Sequence, residues 1–348
     1  MKKIKAGTHL YLSHTSAHIG SLTRGVRITD PELITQARTL LTGEVADPLI
    51  DELSFAGLLD TDESSIKLTK RSSESISERD ASYQQLRNRM APELSQLTLH
   101  GNVDGGVDEL SARQNFAIEL SGNSRVVALL YTLLLASGAT NTRISPTVRS
   151  AQPLIKDSDI ATPCISANEI GINYRSHLEE LRSRLTLLPI DKSCKYSEPF
   201  LRADVKIHCG PIDPEIHALW MSSNQPHLII GEAKSGEVII GPLVEPGVGP
   251  CNRCLSLLER DNYGFSHDQA IALSQTSDFP MIVSYYIASL VADFVLRYCR
   301  DVHKKEKSEL VGKVINLTYQ SPLASTLSSS MHLIARHPLC GCAFMKLS

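Results

Sequence analysis

Apolar positions along this chain fall into two different rhythms. In residues 1–60 they are sparse. Thr8-His9-Leu10-Tyr11-Leu12 and Gly25-Val26-Arg27-Ile28 read as short strands. Leu33, Ile34, Ala37, Leu40 and Leu41 then recur at helical spacing, and Leu49, Ile50 and Leu53 do so again. Asp30-Pro31-Glu32 and Asp47-Pro48 each set an N-cap acid before a proline that has the φ a first helical turn needs. Gly57 is placed to end the second helix, and Leu58-Leu59 supplies a last strand. Strands, two helices and a strand predict a small winged-helix-like α+β domain over residues 1–60.

Residues 61–108 break this rhythm. Ser64-Ser65, Ser72-Ser73, Ser75 and Ser77 alternate with charges, and 101–106 is glycine-rich, so the segment reads as a linker around a charged helix from about Ser77 to Leu97. From residue 109 to 348 the pattern is α/β. Phe116-Ala117-Ile118-Glu119-Leu120 predicts a strand that turns at Ser121-Gly122-Asn123-Ser124 into a helix over Arg125–Ser137. That helix is apolar almost all round, which predicts burial, and Gly138 closes it. A strand at Thr142–Ser145 completes a βαβ unit. Further strands are expected at Asp204–Cys209, His227–Ile230 and Glu237–Ile240, with helices at Tyr174–Leu188 and Met281–Tyr298. The succession is Rossmann-like.

At 348 residues the chain exceeds one ordinary core, which agrees with this division. A formal net charge of −3 argues against a general nucleic-acid binder, as does the absence of a basic helix in residues 30–57. Met1-Lys2-Lys3-Ile4-Lys5 is basic, but Gly7-Thr8-His9 follows where an export signal needs an apolar run. The apolar stretch Phe279–Leu296 is broken by Tyr285, Tyr286 and Asp293, and reads as a packed amphipathic helix rather than a membrane span. The expected location is cytoplasmic, where cysteines stay reduced and serve as metal ligands or packing groups.

Four of the eight cysteines form a split quartet. Cys251 and Cys254 lie in Gly-Pro-Cys-Asn-Arg-Cys, and Cys340 and Cys342 lie in His-Pro-Leu-Cys-Gly-Cys near the C-terminus. Each close pair can clamp one edge of a tetrahedral zinc ion, tying the end of the chain to its middle. The alternative is reduced thiols packed as small apolar residues. Turn residues bound both pairs, which favours zinc. Four thiolates leave zinc no open position, so such a site is structural rather than catalytic.

A strand–turn–helix opening is where backbone N–H groups and a helix N-terminus cradle a nucleotide phosphate. That cradle needs glycines, and here only Gly122 remains, followed by Asn123 and Ser124, which helix capping explains equally well. Ser145-Pro146 stands where an acid would grip the ribose. His208-Cys209 brings a base and a thiol together in sequence, but neighbours on a strand point to opposite faces. His9, His14 and His18, set among Ser, Thr and Gly, read as surface loop.

The run Ile239-Ile240-Gly241-Pro242-Leu243-Val244-Glu245-Pro246-Gly247, then Gly249-Pro250-Cys251-Asn252-Arg253-Cys254-Leu255, is the most specific stretch of the chain. With the terminal His337-Pro338-Leu339-Cys340-Gly341-Cys342 it resembles the ThiF/HesA/MoeB superfamily of ubiquitin-activating-type adenylyltransferases. Within that superfamily it is similar to the bacterial branch associated with azoline-forming cyclodehydratases. The resemblance covers roughly Arg113 to Cys342, and residues 1–60 resemble the peptide-clamp domain that precedes the fold in that branch. It implies a parallel-sheet nucleotide-type fold, often homodimeric, with structural zinc on Cys251, Cys254, Cys340 and Cys342.

Active members of the superfamily use ATP and magnesium to adenylate a carboxyl end. For this chain the resemblance leaves Gly122, Ser124, Arg149, Lys156 and Asp213 as the nucleotide-binding candidates, with Gly210-Pro211 where the metal-binding aspartate is expected. The leading expectation is therefore a degenerate nucleotide site in a protein that binds a peptide or protein partner and presents it to a separate modifying enzyme. The alternative is an ATP-dependent adenylyltransferase built on the substitutes. A DNA-binding regulator is disfavoured by the charge, and neither nucleic acid nor membrane is an expected partner.

Overall fold

The computed structural model describes residues 3–4, 8–20, 25–40, 47–60, 88–94, 96–97, 106–122, 125–145, 154–155, 159, 165–186, 202–234, 236–266, 279–319 and 327–344. The chain divides into two compact units, Met1–Gln114 and Asn115–Ser348.

In the first unit, β1 (Lys3–Ile4) pairs antiparallel with β5 (Leu59–Asp60). Strands β2 (His9–Leu12), β3 (Ala17–Gly20) and β4 (Gly25–Ile28) form an antiparallel sheet in that order. Helices α1 (Pro31–Thr39) and α2 (Asp47–Phe55) follow. The Asp30 carboxylate accepts from Glu32 N at 2.8 Å, so the cap expected from Asp-Pro-Glu is formed. Alternation decides the rest. Ala17, Ile19 and Ile28 point inward with Ile34, Ala37, Leu49 and Leu53 to make one small core. His9 and His18 lie on strands rather than in a loop, with Tyr11 between them (ring centroids at 6.3 and 5.9 Å). Of the charged helix expected around Ser77–Leu97, helical turns are seen at 88–94 and 96–97, and its earlier part lies outside the described residues. Helix α3 (Val107–Asn115) closes the unit, with Arg113 bridging Glu93 and Glu109 at 2.9 and 3.0 Å.

The second unit holds β6 (Ile118–Gly122), α4 (Arg125–Ala136), β7 (Thr142–Ile144), α5 (Tyr174–Thr186), β8 (Val205–Cys209), α6 (Pro214–Ser222), β9 (His227–Ile230) and β10 (Glu237–Ile240). Helices α7 (Asn252–Tyr263) and α8 (Met281–His303) and strands β11 (Lys313–Thr318) and β12 (Ser328–Leu333) complete it. The strands form one sheet in the order β12-β11-β10-β9-β8-β6-β7. Pairing among β7, β6, β8 and β9 is parallel, and from β9 to β12 it is antiparallel. The chain runs outward from β6 to β7 and then returns to lay β8 on the other side of β6. That reversal is a topological switch point, the place where open α/β sheets bind ligands.

One face of the parallel strands is apolar, with Ile118, Leu120, Val205, Ile207, Leu228 and Ile230 all buried. Helix α8 lies on this face, since its Tyr298 meets Phe116 edge-on at 6.1 Å, and α4 packs against both α8 and β6. Helix α8 is long and apolar enough to cross a bilayer, yet 56% of its most apolar window is buried within the unit.

Candidate functional site

The opposite face of the parallel strands is polar. Register sets Arg143 on β7 beside Glu119 on β6, Glu119 beside Lys206 on β8, and Lys206 beside His227 on β9. Four polar residues thus cross four strands in one row. Lys206 Nζ lies 2.8 Å from Glu119 Oε1, with the two side chains 15% and 4% exposed. Among the described residues no hydrogen bond reaches Glu119 Oε2. The Trp220 ring of α6 covers this row, 5.8 Å from Lys206 Nζ and 5.4 Å from the His227 ring. His227 is fully buried, and its Nδ1 donates to the Gln225 carbonyl at 2.8 Å. Burial chiefly pushes its pKa down, to about 4, with His217 adding to the shift and the Gln225 contact opposing it.

One step along the strands, Ser121 pairs with His208 and Gly122 with Cys209. Ser121 Oγ lies 2.8 Å from His208 Nδ1. Cys209 is buried on the apolar side, as alternation requires, so the adjacent His and Cys are parted. Gly122 has φ +116, and a Cβ there would strike the Cys209 carbonyl oxygen. Close packing of β6 on β8 therefore already demands this glycine. Asp213 caps α6, accepting from Glu215 N at 2.9 Å, in the same Asp-Pro-Glu arrangement as α1. Ser145 N donates to the Leu120 carbonyl at 2.7 Å at the end of β7. The structure thus brings Gly122, Ser145 and Asp213 to the carboxyl side of the parallel strands. Ser124, Arg149 and Lys156 lie outside the described residues.

The four cysteines of the quartet converge. Cys251 and Cys254 flank the first turn of α7, and Cys340 and Cys342 come from the terminal segment; all four are buried, with sulfurs within 4.8 Å of one another. Sulfur separations of 3.9 Å (Cys251–Cys254), 3.5 Å (Cys251–Cys340) and 3.3 Å (Cys254–Cys342) suit a tetrahedral ion. Thiolates at about 2.3 Å from such an ion stand about 3.8 Å apart. The cluster could hold a metal ion, and its donor set is compatible with zinc. Burial pushes the Cys251 thiol up to about 11 and also raises Cys342. At Cys254 burial again pushes upward, but hydrogen bonds from the His337 and Cys251 backbones and the neighbouring thiols reverse the direction. Arg253, between two of the sulfurs in sequence, points to solvent.

Side chains around the cluster fix it in place. His337 Nε2 meets Asp261 of α7 at 2.8 Å, and the Arg336 guanidinium donates to the Gly247 and Gly249 carbonyls. Tyr298 donates to Glu245 Oε1 at 2.6 Å, holding the Glu-Pro-Gly loop against α8. Burial first, and this carboxylate second, keep the Tyr298 phenol protonated well above its usual range.

Solved structures share this fold over nearly the whole chain. E. coli MccB with ATP superposes with a TM-score of 0.59 at 13% identity, covering 99% of each chain. The microcin C7 biosynthetic enzyme MccB in complex with N-formylated MccA gives 0.55 at 14%, over 98% of this chain and 99% of that one. PaaA gives 0.58 at 15%, over 94% and 98%.

The chain has the fold of MccB and PaaA.

This agrees with the ThiF-type fold that the sequence resemblance implied, and at these identities the likeness is one of fold. No protein-family model matches the sequence, and no curated protein matches it. On the MccB-like frame, the polar row and the Ser121–His208 pair are the features that sequence reasoning missed. The signal was present as alternation, Glu119 and Ser121 against Ile118 and Leu120, and Lys206 and His208 against Val205 and Ile207. Only register reveals that the polar members meet.

Proposed function

We propose that this chain binds a peptide or partner protein through its first 60 residues and presents it to a separate modifying enzyme, while its nucleotide site is degenerate. The observation that carries this reading is the edge of the β2–β3–β4 sheet. Among the described residues no strand pairs with the outer side of β2 or β4, and Tyr11 and Leu12 on β2 are each 41% exposed. An extended peptide can add there as a further strand, with backbone hydrogen bonds for affinity and alternate side chains for selectivity. MccB, of the same fold, has been solved in complex with MccA. The homodimer and the cytoplasmic, reducing setting implied by the sequence belong to the same reading. So does zinc on the quartet, where Cys251, Cys254, Cys340 and Cys342 would fill the tetrahedron and cross-link the fold.

Two observations support degeneracy. Gly122 is required by packing on Cys209, and the Asp213 carboxylate caps α6. Neither needs a nucleotide to account for it. A displayed library of extended peptides, panned on the full chain and on a chain lacking residues 1–60, tests the proposal. Enrichment that disappears with the deletion supports it, and undiminished enrichment refutes it.

The second reading is an adenylyltransferase. It is favoured by one observation, that MccB has been solved with ATP and matches 99% of this chain. It predicts carboxylate-dependent release of pyrophosphate from ATP, with Arg149 and Lys156 neutralising the triphosphate and Asp213 standing in for the metal-binding aspartate.

A further inference from the structure

The switch point between β6 and β8 carries an arrangement that needs no nucleotide. Ser121 Oγ stands 2.8 Å from His208 Nδ1, and His208 Nε2 stands 3.0 Å from the Pro211 carbonyl oxygen. A carbonyl oxygen only accepts, so Nε2 must carry the ring proton. Nδ1 is then a bare lone pair that accepts from the Ser121 hydroxyl, whose other acceptor, the Ile207 carbonyl, lies farther off at 3.5 Å. The tautomer follows from the partners alone. Hydroxyl, imidazole and backbone acceptor form a line in which the ring can take the serine proton, and the carbonyl dipole steadies the imidazolium that results.

The surroundings suit that role. Burial holds the His208 pKa below its ordinary 6.5, against a smaller opposing effect of the Pro211 contact, so the ring is a neutral base at pH 7. Trp220 meets the ring nearly edge-on at 6.4 Å and limits its rotation. Ser121 and His208 are both half-buried, neither sealed nor fully solvated. Cys209, the other nucleophile here, is buried on the opposite face and takes no part.

We propose that Ser121 and His208 are a nucleophile–base dyad that accepts acyl groups from activated esters or thioesters. Ser121 Oγ attacks the carbonyl carbon as its proton passes to His208 Nδ1. Collapse of the tetrahedral adduct breaks the bond to the leaving alkoxide or thiolate, which takes that proton. Water then attacks the acyl-serine ester, giving its proton to Nδ1 and releasing a carboxylic acid as the Ser121 hydroxyl is restored. This activity stands apart from peptide capture and from ATP chemistry.

An alkyl fluorophosphonate probe applied to the full-length protein tests it, with the adduct located by peptide mass spectrometry. The expected result is phosphonylation of Ser121 that is absent in Ser121→Ala and reduced about 100-fold or more in His208→Asn. Labelling should weaken as the pH falls and His208 becomes protonated. Ser121→Cys guards against misfolded variants: with the same base beside it, the introduced thiol should be alkylated by iodoacetamide faster than Cys209. Folded wild-type protein with no adduct on Ser121, or labelling indifferent to His208→Asn, would overturn the dyad.

Discussion

Replacing Cys254 by serine should strip the metal and loosen the second unit by an amount the structure sets. Cys251 and Cys340 are 89 residues apart in sequence yet 3.5 Å apart through their sulfurs. An ion held by both pairs is therefore a cross-link around a long loop. Closing a loop of that size restrains the unfolded chain by about 4–5 kcal/mol. For a unit of this length each kcal/mol moves Tm by about 2–4 °C, so losing the cross-link lowers Tm by about 10–20 °C. Ligation also needs thiolates, and burial holds the metal-free Cys251 near 11. Binding must then expel protons, so metal retention should weaken as the pH falls. Elemental analysis by mass spectrometry gives the zinc stoichiometry, and circular dichroism gives Tm. Cys209→Ser and Cys299→Ser, at buried cysteines outside the cluster, serve as controls that keep the metal. One zinc per chain in the wild type, lost together with stability in Cys254→Ser, is the expected result. Wild-type protein that carries no zinc, or a Cys254→Ser variant that melts with the wild type, would refute the reasoning.

Two further outcomes follow from the polar row. Lys206→Met leaves Glu119 buried without its cation and should destabilise by about 3–5 kcal/mol in urea unfolding, whereas Lys206→Met with Glu119→Leu should recover most of that loss. A single variant as stable as wild type would contradict the pairing. His227 takes up a proton near pH 6.5 when unfolded but only near 4 when folded. Between those values the unfolded chain binds more protons, so stability must rise with pH across that window. The difference is worth about 3 kcal/mol at about 1.4 kcal/mol per unit. His208 and His217, also lowered by burial, act in the same direction. His227→Phe should flatten the slope measured by urea unfolding between pH 4 and 7, and an unchanged slope would count against burial as its source.

Much of the frame was legible in residue order. The β6–α4–β7 unit announces itself through an apolar strand, a turn, an almost wholly apolar helix and Gly138. The quartet is readable because close spacing and turn residues mark both pairs. Other elements escaped for physical reasons. Strand β12, Ser-Ser-Ser-Met-His-Leu, is an edge strand exposed along its whole length, so no apolar alternation betrays it. Strand β3 buries Ala17, Ile19 and Gly20, too short an apolar pattern to stand out in the sequence. Helix α6 carried a usable signal, Asp213-Pro214-Glu215, the same cap that opens α1; the resemblance drew attention to Asp213 as a nucleotide-binding candidate instead. The Ser121–His208 and Glu119–Lys206 contacts join residues 87 apart in sequence, and nothing local encodes strand register.

Isothermal titration of the full-length, zinc-loaded protein with ATP and magnesium tests the central claim most directly. A degenerate nucleotide site predicts no saturable heat up to millimolar ATP. Saturable binding near the micromolar range, about −8 kcal/mol, would contradict it and make the chain a nucleotide-using enzyme.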